Sequence, residues 1–323
     1  MSTLPDRQGQ NTYFIDAENA AEMARLTNLA RLITRNMGGV FPPEIDLAGV
    51  QRVLDIACGP GGWALDVARA YPEKQVTGID ISRLMIAYAQ VQAREQGLTN
   101  VQFEVMDALK PLAFADNSFD LVNARFISGF MSKAAWPKLV QEMVRITRPG
   151  GIIRLTEIES AMTNSPSAEK LFALCSRALY LSGQSFSVDG RNIGITLMLG
   201  RLLRDAGCLT NGKAAYAIDF SFGTEEYTSE YQDLRTFLKL IQPFLVKMGV
   251  ATQEEIMRST TRQWKKCNRP ISAASGLFLA SGEQSQRNRT DERSNLLCQH
   301  PIILLTMILP ILSMQRTRRR WRA

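Results

Sequence analysis

The chain has 323 residues, of which 45% are hydrophobic, so it can bury the core of one large domain or two small ones. From Arg262 onward there are 12 Lys and Arg against 3 Asp and Glu, whereas the first 261 residues hold 26 against 28. The net charge of +7 therefore belongs to the C-terminal end, and a basic groove for nucleic acid is not expected in the folded part.

The cysteines are odd in number and lack the paired spacing of a metal site. The first residues contain no positive and apolar signal sequence. These two features predict a reduced, cytoplasmic protein without a metal ion. The cysteines are Cys58, Cys175, Cys208, Cys267 and Cys298.

Residues 11–36 have apolar side chains at helical spacing, which predicts a helix that ends at Gly38 and Gly39. We interpret residues 1–50 as an N-terminal helical cap.

Five short apolar segments then alternate with helical patterns. Strands are predicted at Val53–Ala57, Gln75–Asp80, Val101–Met106, Phe119–Asn123 and Gly151–Glu157, with helices near residues 62–70, 83–96 and 134–147. The alternation predicts an α/β fold, a doubly wound and mostly parallel sheet whose ligands bind beyond the carboxyl ends of the strands. Asp80, Asp107 and Asn123 all fall at such ends.

A glycine-rich turn joins the first of these strands to its helix, in the segment VLDIACGPGGWALDVA at residues 53–68. Such a junction leaves the first N–H groups of the helix facing a ligand, although a tight connection without a ligand is the alternative. Gly59, Gly61 and Ala64 also fit the dinucleotide fingerprint, with Asp80 about twenty residues later, so NAD stays possible. Asp55 would face a pyrophosphate there, and its carboxylate favours a cationic ligand instead.

The following residues, 160–207, have mostly helical patterns and form a predicted insertion, either a lid over the ligand or a pair of packing helices. A strand is predicted at 216–222. A helix is predicted within 242–264, beginning near Thr252 with Glu254 and Glu255 in its first turn. The domain predicted from these elements spans residues 51–265.

In this order the segments resemble the class I S-adenosylmethionine-dependent methyltransferases, from about residue 10 to residue 265. The glycine-rich turn is similar to the first motif of that family, and VTGIDIS is similar to its second strand. FEVMDALKPLAFADNSFDLVNARF resembles the adenine-contacting segment with the fourth strand, and RITRPGGIIRLTE resembles the fifth strand. The resemblance implies a Rossmann-like methyltransferase fold with S-adenosylmethionine as cofactor.

The same resemblance implies a role for each residue of a predicted cofactor site. Asp55 would face the ammonium and sulfonium end of the cofactor, and the backbone near Ala57 and Gly59 would bind its amino acid part. Asp80 would accept hydrogen bonds from the ribose hydroxyls, and Asp107 would accept one from the adenine amine. The full set, in which Ile81, Met85 and Met106 pack on the adenine, is Asp55, Ala57, Gly59, Gly61, Asp80, Ile81, Met85, Met106, Asp107, Ala108 and Asn123. The alternative for Asp55 is a solvated carboxylate at the end of a strand, without a ligand. The alternative for Met85 is a side chain that packs in the core.

Methyl transfer is an in-line displacement, so alignment and exclusion of water matter more than any one catalytic group. If the acceptor needs a base, Tyr13, Asp16 and Glu157 are candidates, each with a structural alternative. The sequence NARF stands where an amino-methylating enzyme of nucleic acid or glutamine would have a motif like Asn-Pro-Pro-Tyr. This difference argues against such a substrate. The nearly neutral body, the N-terminal helical cap and the helical insertion favour a small, partly apolar acceptor.

The segment 266–323 differs in composition from the rest of the chain, and two hypotheses account for it. PIILLTMILPILSM followed by arginines is typical of a weak membrane-surface anchor. Alternatively the segment is an out-of-frame translation, because the codons allowed from Pro270 through Glu283 permit, in another frame, an apolar run that resembles the closing strand of the family. We favour the second hypothesis, since no convincing closing strand is evident in the sequence.

Two other functions stay open. An NAD-dependent oxidoreductase would need neither Asp55 nor Asp107. A regulatory module that binds the cofactor without catalysis would retain the whole predicted site.

Overall fold

The computed structural model describes residues 13–41, 43, 45–159, 161–221, 223–258 and 274–285. In this part of the chain the strands are β1 (Arg52–Ile56), β2 (Gln75–Asp80), β3 (Val101–Val105), β4 (Phe119–Arg125), β5 (Thr147–Ile158), β6 (Met162–Thr163), β7 (Leu209–Asp219) and β8 (Ala274–Ser285). The helices are α1 (Ala20–Asn36), α2 (Gly62–Ala70), α3 (Arg83–Glu95), α4 (Trp136–Ile146), α5 (Pro166–Leu181), α6 (Leu199–Asp205), α7 (Tyr227–Leu240) and α8 (Gln242–Lys247).

The strand order confirms the predicted α/β fold. β1 to β5 are parallel and lie in the order β3-β2-β1-β4-β5, with the chain reversing its direction of travel across the sheet between β1 and β4. All five predicted strands and the three helices between them are present, with ends that differ by a few residues. A crevice for a ligand forms at such a reversal point, above the carboxyl ends of the strands.

Alternate residues of the central strands pack into two separate cores. Leu54 and Val122 face one side of the sheet, where they pack with α4 and α6. Val53 and Leu121 face the other side, where they pack with Trp63 of α2 and with residues of α3. Because both faces are covered by helices, the strands read in the sequence as short continuous apolar runs.

The N-terminal helix is shorter than predicted. The structure begins it at Ala20, where the Asn19 side chain accepts hydrogen bonds from the backbone N–H groups of Ala21 and Glu22. This N-cap ends the preceding segment of turns, residues 13–19, which the apolar spacing alone had assigned to the helix.

The C-terminal part of the fold contains elements that the sequence did not predict. Helix α7 was not predicted, and the helix expected within 242–264 is divided into α8 and a second helix over residues 253–258. The second helix does begin after Thr252, which forms a capping box with Glu255. Residues 259–264 lie outside the described part of the chain.

A closing strand is present where the sequence showed none convincingly. β8 runs antiparallel between β5 and β7, with Gly151 opposite Ser285 and Tyr216 opposite Phe278. The sheet therefore extends past residue 265, the predicted end of the domain. The apolar run and the arginines after residue 300, on which the anchor hypothesis rests, lie outside the described residues. Among the helices that are described, none has the length and apolar character needed to cross a bilayer.

Gly61 offers a test of the packing between α2, α3 and β3. It has a φ of +81°, and a Cβ there would lie 2.8 Å from Ala89 Cβ and 2.9 Å from the Phe103 ring. Gly97 has a φ of +65° with nothing within 4 Å, so Gly97→Ala is a matched control for backbone strain alone. We expect Gly61→Ala to lower the free energy of unfolding by about 1–3 kcal/mol more than Gly97→Ala, measured by urea denaturation. Equal losses would contradict the close packing.

Candidate functional site

A cavity lies above the carboxyl ends of β1, β2 and β4, under helix α1. Together with its open mouth it holds about 1120 Å³ of space between atoms. Nine of the eleven predicted cofactor-binding residues line it. They are Asp55, Ala57, Gly59, Asp80, Ile81, Met85, Met106, Asp107 and Ala108.

Asp55 is the most deeply buried of the carboxylates in this wall, with 3% of its surface exposed. Its Oδ1 accepts a hydrogen bond of 2.7 Å from Asn123 Nδ2 on the neighbouring strand. Burial raises the pKa of Asp55 to about 6, against the opposing effect of the nearby Arg125 guanidinium. A buried carboxylate held in this way is suited to a cationic group of a ligand.

Asp80 connects the glycine-rich turn to the start of α3. Its Oδ2 accepts from the Gly59 N–H at 2.9 Å, and its Oδ1 accepts from the Ser82 N–H at 2.9 Å. Burial raises the pKa of Asp80, although these two backbone hydrogen bonds oppose the shift. Each carboxylate oxygen has a second lone pair, so the side chain can still accept from ligand hydroxyls.

Asp107 lies on the loop after β3 and lines the cavity. Its Oδ1 accepts from the Leu109 N–H at 2.9 Å, and its Oδ2 lies 3.4 Å from Lys110 Nζ. Apolar side chains flank it, since Met106 and Ile81 also line the cavity and Ile81 is 37% exposed. This combination can bind a flat, polar-edged ring.

Two predicted cofactor-binding residues do not line the cavity. Gly61 faces Ala89 and Phe103, so its lack of a side chain serves the packing of α2. Asn123 is fully buried and reaches the site only through its hydrogen bond to Asp55. Direct contact of either residue with a cofactor therefore stays a prediction. For Asn123, the position at a strand end does not reveal which way the side chain points.

The three candidate bases are placed differently from one another. Tyr13 lines the cavity, but its hydroxyl donates to Glu22 Oε1 at 2.7 Å, and burial raises its pKa. Asp16 is exposed, lies outside the cavity wall and accepts from the Glu18 N–H. Glu157 is buried behind the wall. None of the three is positioned as a free base in the cavity.

Glu157 instead holds part of the wall in place. Its Oε1 accepts from the N–H groups of Ile127 and Ser128, at 2.8 and 3.2 Å, and Ile127 lines the cavity. Burial raises the pKa of Glu157 to about 7.

The predicted helical insertion contributes no side chain to the cavity, and Leu199 and Leu203 of α6 lie in the core. In the described structure the insertion is therefore packing rather than a lid.

Several residues of the cavity were not predicted. Arg125, at the end of β4, and Trp63, in the first turn of α2, form part of the wall. Leu26, Leu29 and Ala30 of α1 form the apolar roof. The signal for Arg125 was its place at a strand end, the same signal that indicated Asp80 and Asn123. Among the described residues, no group of three or more His, Cys, Asp or Glu could hold a metal ion.

Comparison with known proteins agrees with this geometry. Residues 53–151 match the family model described as a methyltransferase domain. The chain is 37% identical over 103 residues to a demethylmenaquinone methyltransferase of Geobacillus kaustophilus, which covers 32% of this chain and 43% of that protein. It is 34% identical over 121 residues to the corresponding protein of Listeria welshimeri, covering 37% and 49%. The chain thus spans about half of the length of these relatives, or less.

The fold is also similar to those of solved structures. An S-adenosylmethionine-dependent methyltransferase from Aquifex aeolicus has a TM-score of 0.43 and 20% identity, covering 61% of this chain and 92% of that one. Phosphoethanolamine N-methyltransferase 2 of Haemonchus contortus, in complex with S-adenosylmethionine, has a TM-score of 0.44 and 17% identity, covering 84% and 60%.

The fold and the site define an α/β protein with a ligand-sized cavity at the carboxyl ends of its parallel strands. Within this protein, residues 53–151 correspond to a methyltransferase domain.

The raised pKa of Glu157 makes stability depend on pH. The folded protein binds this proton more tightly than the unfolded chain, so the contribution is complete below pH 4.5 and is lost as pH rises to about 7. Glu157→Gln keeps an oxygen for the two N–H groups but cannot ionise. We expect the free energy of unfolding of the variant, relative to the wild type, to rise by roughly 2 kcal/mol between pH 5 and pH 8, measured by urea denaturation.

The control is Glu142→Gln. The pKa of Glu142 is lowered by its hydrogen bonds with Arg145, so Glu142 is ionised throughout this range and its effect on stability should be the same at both pH values. A pH-independent effect of Glu157→Gln would show that Glu157 does not bind a proton in the folded state.

Proposed function

We propose that this protein transfers a methyl group from S-adenosylmethionine to a small, partly apolar acceptor. The observation that supports this most directly is the row of three carboxylates, Asp55, Asp80 and Asp107, along one cavity wall beside the glycine-rich turn. Their spacing across three strand ends suits a ligand with a cationic end, a ribose and an amine-bearing ring.

The proposed role of each cavity residue follows from its chemistry. Asp55 binds the ammonium and sulfonium end, and the backbone at Ala57 and Gly59 binds the amino acid part. Asp80 accepts from the ribose hydroxyls, and Asp107 accepts from the adenine amine. The side chains that pack on the adenine are Ile81, Met85, Met106 and Ala108.

The acceptor is proposed from the roof of the cavity. Leu26, Leu29 and Ala30 of α1, with Phe126 and Phe130 after β4, give that region an apolar surface. The relatives named demethylmenaquinone methyltransferase act, by that name, on a compound of largely apolar character. We accordingly propose an apolar ring compound as acceptor, a protein that works in the cytoplasm, and no nucleic acid substrate.

The chain's own residues supply alignment and exclusion of water. S-adenosylmethionine, when bound, supplies a methyl group activated by positively charged sulfur. The apolar roof excludes water from the reacting atoms, and Glu157 fixes the wall at Ile127 through two hydrogen bonds. Tyr13, whose hydroxyl donates to Glu22, has a positioning role in the cap.

The first test is calorimetric binding of S-adenosylhomocysteine to the wild type and to Asp80→Asn. The substitution removes the charge that would receive two ribose hydroxyls, so we expect binding to weaken by about 10- to 100-fold. Asp16→Asn is the matched control, because Asp16 is an exposed aspartate that lies outside the cavity. Its affinity for S-adenosylhomocysteine should equal that of the wild type.

The same experiment includes NADH as a competing ligand. Binding of NADH in place of S-adenosylhomocysteine would favour an oxidoreductase and contradict the proposal. Binding of neither would contradict both functions.

A second test measures transfer of a labelled methyl group to a panel of quinols, phenols and other small apolar ring compounds. We expect at least one acceptor to be methylated, and Leu29→Trp to reduce turnover while leaving S-adenosylhomocysteine binding within about twofold, because Leu29 is proposed to face the acceptor. Cofactor binding without methylation of any compound in the panel would favour a regulatory module.

A further inference from the structure

Arg125 is a charged residue of the cavity wall to which neither the sequence motifs nor the comparisons assign a role. It is the last residue of β4, and it lies two residues beyond Asn123, the partner of Asp55. Since alternate residues of a strand share a face and two residues span about 7 Å, Arg125 and Asp55 line the same side of the sheet. Both side chains line the cavity.

The Arg125 guanidinium is held in place by neighbours that leave most of its donors free. Its Nη1 donates to Thr34 Oγ1 of α1 at 3.3 Å, and among the described residues no other hydrogen-bond acceptor contacts it. The group lies 5.7 Å from the centre of the Trp63 ring and 5.9 Å from that of Phe126. The Trp63 ring is itself fixed, because its Nε1 donates to Val40 O at 2.9 Å. A guanidinium has five N–H groups in a planar fork, and here one is used.

Asp55 and Arg125 affect each other electrostatically but form no ion pair within contact distance. Asp55 is held by Asn123, and Arg125 is held by Thr34 and Trp63. Two opposite charges that are fixed apart on one wall of a cavity match a ligand group whose positive and negative ends are a few ångströms apart. An α-amino acid, with its ammonium and carboxylate, is such a group.

We propose that Arg125 binds the carboxylate of the amino acid part of the cofactor, while Asp55 binds its ammonium group. This inference rests on the proposed placement of the cofactor in the cavity. It adds a cofactor-binding residue outside the glycine-rich turn, and it assigns the planar fork of Arg125 to a two-point contact with a carboxylate.

The test uses three ligands that differ only at the amino acid part. S-adenosylhomocysteine has both the ammonium and the carboxylate, its decarboxylated analogue keeps only the amine, and 5′-methylthioadenosine has neither. We expect the wild type to bind S-adenosylhomocysteine at least tenfold more tightly than the decarboxylated analogue, and Arg125→Met to abolish that preference while binding 5′-methylthioadenosine within about twofold of the wild type. Arg125→Lys should keep part of the preference, because it retains the charge but not the fork.

Asp55→Asn provides the complementary arm. It should weaken both amine-bearing ligands relative to 5′-methylthioadenosine and leave the preference for a carboxylate in place. If Arg125→Met and Arg125→Lys both bind 5′-methylthioadenosine normally and still prefer S-adenosylhomocysteine as the wild type does, Arg125 does not bind the carboxylate and serves the acceptor or the fold. Failure of the wild type to bind any of the three ligands would instead overturn the proposed function itself.

Discussion

The shape of the cavity depends on one carboxylate, that of Asp80. Through two backbone N–H groups, of Gly59 and Ser82, it joins the turn after β1 to the start of α3. A backbone hydrogen bond of 2.9 Å, donated by the Cys58 N–H to Ile79 O, joins the same two strand ends, and the Asp80 side chain extends this connection to α3. The cost of burying the charge, which is visible in the raised pKa, is offset by charge-assisted hydrogen bonds to backbone dipoles.

The cap depends on a second buried set of charges, between α1 and α7. Arg25 forms a two-point ion pair with Glu22 and also binds Asp233, and Glu22 in turn accepts from the Tyr13 hydroxyl. Removing one partner of such a network leaves an uncompensated buried charge, so the network strongly specifies how α7 sits on α1. Burial and the neighbouring Asp233 also raise the pKa of Glu230.

The sequence predicted those strands and helices whose hydrophobic pattern matches their burial in the folded protein. The glycine turn, the apolar strands and the helices from residue 52 to residue 158 have patterns set by burial on both faces of a sheet. The N-terminal helix was predicted too long because the N-cap at Asn19 was not weighed against apolar spacing. Helix α7 and strand β8 were missed. Helix α7 is held by long-range contacts, such as those of Arg25 with Asp233 and of Phe14 with Phe237. Strand β8 has a short apolar run among glycines and serines.

A position at the end of a strand does not show whether a side chain lines the cavity, and this limited the prediction of site residues. Asp55, Asn123 and Arg154 lie opposite one another across β1, β4 and β5, yet of the three only Asp55 lines the cavity. Arg154 is 1% exposed and donates to Val40 O. Its guanidinium lies 5.8 Å from the Trp63 ring, so the ring contacts the guanidinium groups of both Arg154 and Arg125.

Burial and the positive charge of Arg125 lower the pKa of Arg154 to about 9. The Trp63 ring thus contacts two guanidinium groups: that of Arg125, which lines the cavity, and that of Arg154, which does not. The buried member, Arg154, makes the potential around Asp55 more positive, which favours the ionised form of that carboxylate. The charge that a cationic ligand would meet in the cavity is thus maintained partly by an arginine that the ligand cannot touch.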